Sequence, residues 1–105
     1  MRIVFVTDLH GNKDLYLQLK NYINEKNADI LIIGGDLFEY SPTYNLQVEF
    51  IHEFLYDFFI KLDVLTYIIP GNCDRIKAIE LLNEFKNDGK LKILNLDGIN
   101  LMDAI

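Results

Sequence analysis

The sequence contains one cysteine, two prolines, two histidines and no tryptophan. A lone Cys73 excludes an internal disulfide. Apolar runs of the roughly 18 residues that cross a bilayer are missing. The stretch Arg2 to Val6 is too short for the apolar region of a signal peptide before Asp8 interrupts it. A cytoplasmic protein without a membrane span is therefore expected. Positive charge is also scarce: 10 Lys plus Arg face 16 Asp plus Glu, a formal net charge of -6. The basic footprint that bulk nucleic acid or an anionic membrane surface requires is thus lacking. Repeats, low-complexity tracts and Pro- or Ser-rich linkers are absent too, which leaves no domain boundary to draw within the 105 residues.

What is present reads as one α/β domain, since half of the residues are hydrophobic and a quarter are charged. Ile3-Val4-Phe5-Val6, Ile30-Leu31-Ile32-Ile33 and Leu65-Thr66-Tyr67-Ile68-Ile69 are continuous β-branched and aromatic runs, the pattern of buried parallel strands. Lys92-Ile93-Leu94-Asn95-Leu96 alternates in polarity and predicts a fourth strand nearer an edge. Leu15, Leu19, Tyr22 and Ile23 lay an apolar stripe along a helix over Lys13 to Lys26. Ala78, Leu81, Leu82 and Phe85 do the same after the third strand, with Asn87-Asp88-Gly89 as a stop signal. The expected order is βαβαβαβ with a mainly parallel sheet.

The middle helix, Tyr44 to Leu62, differs from the others. Its apolar positions, from Tyr44 and Val48 through Phe50, Phe54 and Phe58 to Leu62, cover about 180°, where a surface helix needs about 100°. Either this helix meets a partner as well as its own sheet, or it is buried more deeply within one domain. Residues Gly98 to Ile105 end without a clear terminal element, so the fold is expected to be cut short.

Each of the first three strands runs into a polar cluster: Asp8-Leu9-His10, Gly34-Gly35-Asp36 and Gly71-Asn72-Cys73-Asp74. Parallel strands place their carboxyl ends on one edge of a sheet, where open α/β folds bind ligands. The carboxylates of Asp8 and Asp36, the imidazole of His10 and the amide oxygen of Asn72 then form a mixed oxygen and nitrogen donor set. Such a set suits Mn, Fe, Zn or Ni rather than Ca. Taken singly, each cluster is an ordinary helix cap or turn. Their joint order, each after a strand, is not.

Asp8-x-His10, Gly35-Asp36 and Gly71-Asn72-x-Asp74 together closely resemble the first three motifs of the calcineurin-like metallophosphoesterases, and the match spans essentially the whole chain. The resemblance implies that Asp8 and His10 hold one divalent ion, Asp36 bridges two, and Asn72 holds the other. It further implies hydrolysis of a phosphomonoester or phosphodiester by a metal-bound hydroxide. Metal cations at the site would explain how an acidic chain accepts an anionic substrate. Two departures qualify it. Many members carry a histidine after the third-motif Asn as the general acid, where this chain has Cys73; the small prokaryotic phosphodiesterases of the family resemble it in that cysteine. Cys73 is then the candidate acid, Asp74 orients its neighbour, and Asn72 and Arg75 reach the phosphate. The family also uses three further histidines from a C-terminal half, whereas the second histidine here, His52, lies in the middle helix. The 105 residues are thus expected to form a single, truncated domain holding at most one ion firmly alone. It either self-associates or meets a complementary C-terminal half. The alternative function is a non-catalytic metal-binding or assembly module.

Overall fold

The computed structural model describes residues 1–85 and 87–94. Four strands, β1 (Ile3–Val6), β2 (Ile30–Ile33), β3 (Leu65–Ile68) and β4 (Leu91–Ile93), pair in chain order, all parallel. The register is regular: Ile3 lies beside Ile30, Ile30 beside Leu65, and Thr66 beside Leu91. The expected parallel βαβαβαβ order is therefore observed. Asn95 and Leu96 of the fourth-strand expectation, and Gly98 to Ile105, lie outside the described residues.

Side-chain alternation along the strands separates two clusters. Leu31, Ile33, Ile68 and Leu91 point into the main core, with Val4, Val6 and Ile93 packed against it, and residues of every α-helix meet them there. The second cluster, Ile30, Ile32, Tyr67 and Leu94, contains no helical residue. On β1 the same face leaves Ile3 51% and Phe5 63% exposed. The Phe5 ring lies over Gly34, where an added Cβ would stand 2.5 Å from the Phe5 Cζ.

Helix α1 (Lys13–Lys26) starts at Asn12, whose side chain accepts the N–H groups of Asp14 and Leu15 at 3.0 and 3.3 Å. It stops at Asn27 in the left-handed conformation, with Lys26 in the last turn. Its buried stripe is Tyr16, Leu19 and Ile23, rotated from the expected one: Leu15 and Tyr22 are exposed beside a groove along the β1 edge. The rotation follows from the buried Tyr16, whose hydroxyl donates to the Leu37 carbonyl at 2.7 Å.

The middle helix consists of α2 (Asn45–Phe50), a π turn over Ile51–Leu55, and α3 (Tyr56–Leu62). The wider π turn keeps Gln47, Ile51 and Leu55, spaced by four, on one buried line. Part of the broad aromatic arc is met within the domain, although Tyr44 at its start is exposed. Tyr16 packs against Phe50, Phe54 and Phe58, with ring centroids 5.8, 5.6 and 5.1 Å away. Helix α4 (Ile76–Glu84) buries Ala78 and Leu82, and a short 3-10 turn at Asn87–Gly89 leads into β4. No helix among the described residues is long and apolar enough to cross a membrane.

Candidate metal centre

The backbone ladder does not stop where the strands stop. Asp8 N–H donates to the Gly35 carbonyl at 3.3 Å, His10 N–H to Asp36 at 2.8 Å, and Gly11 N–H to Leu37 at 2.8 Å. The first and second polar loops are thereby locked side by side, and the third meets them through Gly71. A Cβ on Gly71 would lie 2.4 Å from the Asp36 nitrogen and 2.6 Å from its Oδ1, so only glycine fits this approach.

Asp8, His10 and Asp36 each adopt positive φ, at 61°, 48° and 52°. That conformation costs most L residues roughly 1–2 kcal/mol. Asp and His tolerate it better than most, and such strain gathers at functional sites. The twist turns the side chains of Asp8, His10 and Asp36 together. Among the described residues, one ligand atom from each of His10, Asp36 and Cys73 lies within 4.8 Å of the others. Asp8 Oδ1 is 3.4 Å from His10 Nε2. Donors about 2.1 Å from a tetrahedral ion stand about 3.4 Å apart, so this spacing and the mixture of carboxylate, imidazole and sulfur fit a divalent transition metal.

The electrostatics agree with that use. The Cys73 N–H, donating to Asp36 Oδ1 at 2.9 Å, is the main reason the Asp36 carboxyl is held below its ordinary value, with help from Asp8, the Cys73 thiol and His10. A carboxylate charged well into acid is ready for a cation. Burial, and then the negative charge of Asp36, push the Cys73 thiol up.

Asp74 is built in rather than presented. Its Oδ1 accepts the Phe38 N–H at 3.1 Å and its Oδ2 the Gly71 N–H at 2.9 Å, tying the third loop to itself and to the second. Burial pushes its carboxyl up, the two N–H groups oppose this, and Asp36 adds to the rise. Asn72 is exposed on the same turn and borders a cleft with Pro70, Gly71 and Asp74. The Arg75 guanidinium hydrogen-bonds to the Pro42 carbonyl, so reaching a phosphate would require releasing it. His52 is exposed and meets Tyr56 edge-on at 5.4 Å.

A residue not singled out from sequence completes the picture. The buried Gln47 on α2 donates from Nε2 to the carbonyls of Glu39 and Cys73, at 3.1 and 2.6 Å, and accepts the Arg75 N–H at 2.8 Å. Its position four residues before Ile51, on the apolar line of the helix, was the available signal.

A parallel α/β sheet with metal-type donors brought together at its carboxyl edge is the arrangement in which open α/β folds bind their ligands. The calcineurin-like phosphoesterase family model matches residues 1–104, and the chain belongs to that family. It is 32% identical over 103 residues to an uncharacterized protein of Methanocaldococcus jannaschii, covering 97% of this chain and 42% of that one. It is also 32% identical over 111 residues to an uncharacterized metallophosphoesterase of Helicobacter pylori, covering 96% of this chain and 28% of the relative. A crystal structure shares the fold with a TM-score of 0.69 at 18% identity, over 89% of this chain and 46% of the other. The chain thus spans less than half the length of these relatives. Membership implies divalent metal ions and places the chain in a hydrolase superfamily.

Proposed function

We propose that this chain supplies the first part of a two-metal phosphoester hydrolase site, acting on a phosphodiester or phosphomonoester. The observation that supports this reading best is the convergence of His10, Asp36 and Cys73, carried by three different loops, within 4.8 Å. Asp8, His10, Asp36 and Asn72 are the residues that would hold the ions, Asp36 between them; Mn, Fe, Zn or Ni would suit these donors. When bound, two such ions neutralise charge on the phosphoryl oxygens and lower the pKa of water. The chain's own residues do the rest. The Cys73 thiol would hand its proton to the leaving oxygen, Asp74 holds the loop that carries it, and Asn72, with Arg75 once released from the Pro42 carbonyl, would steady the phosphate.

Four protein donors shared between two ions leave most positions to water, so the chain alone holds one ion firmly. Full coordination comes from a complementary C-terminal segment carrying further histidines. The test is to co-express the chain with a metallophosphoesterase segment containing Gly-His-x-His and assay Mn-loaded preparations on bis-p-nitrophenyl phosphate and p-nitrophenyl phosphate. Turnover is expected from the pair and not from the lone chain. Metal bound without turnover in every preparation would favour the assembly module instead.

A further inference from the structure

Gln47 is 2% exposed, and both functional atoms of its amide are spent on the second and third polar loops. The amide orientation is fixed by chemistry: two of its partners are carbonyls, which need the NH2 group, and the third is an N–H, which needs the oxygen. The Glu39 carbonyl lies three residues after Asp36 in the loop between β2 and α2. The Cys73 carbonyl and Arg75 N–H bracket the turn that carries Cys73 and precedes α4. Helix α2 offers no other described side-chain bond to either loop, whereas Asp74 joins them from the opposite side through Phe38 and Gly71. The two loops are therefore joined three ways, by the Cys73 N–H on Asp36 Oδ1, by Asp74 and by Gln47, and only the last runs through a helix that contributes no metal donor.

We infer that Gln47 is a positioning residue for the metal centre: it holds the Asn72-Cys73 turn at the distance from Asp36 that one ion can bridge. This rests on the metal-site reading above. Outer-shell hydrogen-bond partners of metal ligands typically change affinity 10- to 100-fold when removed. A polar side chain on this apolar line otherwise has a burial cost that an aliphatic residue would avoid, so leucine offers a direct comparison.

The experiment measures Mn affinity of the full chain by calorimetric titration for wild type, Gln47→Leu, Gln47→Glu, Leu82→Ala and Asp36→Asn. Leu82→Ala removes a fully buried core side chain and controls for lost stability. Gln47→Glu keeps the size and the acceptor but cannot donate to the two carbonyls when ionised, and it serves if the leucine variant does not fold. A metal-free readout runs in parallel: the alkylation rate of Cys73. Expected are a roughly 10- to 100-fold weaker Mn affinity and faster Cys73 alkylation in both Gln47 variants. Leu82→Ala should bind Mn as the wild type does. Wild-type affinity and alkylation in the Gln47 variants, with binding lost in Asp36→Asn, would overturn the inference while leaving the site reading intact. If Asp36→Asn also binds as the wild type does, the site reading fails and the inference falls with it.

Discussion

Asp36→Asn should lose tight metal binding while the chain stays folded, with Mn affinity reduced by more than about 100-fold, beyond the range of outer-shell losses. Asparagine is a clean substitution here. It tolerates the left-handed backbone at φ 52°, and its side-chain oxygen can still accept the Cys73 N–H. What it lacks is the negative charge that attracts the cation, a charge that the Cys73 N–H now stabilises. Asp8, His10 and Asn72 each serve a single ion in this scheme, so their loss should cost less. Metal content after desalting, measured by mass spectrometry beside the thermal unfolding midpoint, separates loss of the ion from loss of the fold. Retained metal in a folded Asp36→Asn chain would show that this carboxylate is not a ligand.

The second large effect concerns the sheet face on which no helix lies among the described residues. Ile3 and Phe5 are 51% and 63% exposed on β1, next to the cluster of Ile30, Ile32, Tyr67 and Leu94. Among the described residues β1 is also an edge strand of the sheet, and edge backbone groups can pair. Burying a side chain such as Phe or Ile is worth about 1.5–3 kcal/mol, or one to two decades in an association constant. The isolated chain is accordingly expected to form dimers or larger species at micromolar concentration. Phe5→Lys should shift them toward monomer, because the charge cannot be buried at a self-complementary contact. A complementary C-terminal segment should compete for the same face and yield a one-to-one complex. Sedimentation velocity distinguishes these species. A wild-type chain that stays monomeric at high concentration, or assemblies indifferent to Phe5→Lys, would remove this face from the account.

Much of the fold was legible because the strands are short apolar runs with no competing period, and α1 carries both a capping Asn12 and a terminating Asn27. The clusters at Asp8, Asp36 and Asn72 were legible for the same reason: each follows a run that can only be a strand. Orientation was harder to read. The α1 stripe includes Tyr16 in place of Leu15 and Tyr22, because a buried hydroxyl found the Leu37 carbonyl, a contact between residues 21 apart. The π turn reflects packing of the whole middle helix, and no local propensity announces it. The wide aromatic arc of that helix left two readings open; Phe50, Phe54 and Phe58 pack around Tyr16 inside the domain, while Tyr44 stays exposed. Gln47 escaped notice because a single polar residue on an apolar line reads as an interruption; only the loops above it reveal its partners.

The donors of the first two strand-end loops are expected to hold one metal ion at the carboxyl edge of the sheet, beside the third. An anomalous difference map from crystals of the Mn-loaded chain tests it most directly. A peak about 2.0–2.3 Å from atoms of Asp8, His10 and Asp36 is expected. A peak elsewhere, such as among Glu39, Glu49 and Glu53 beside α2, with none at the three loops, would contradict it.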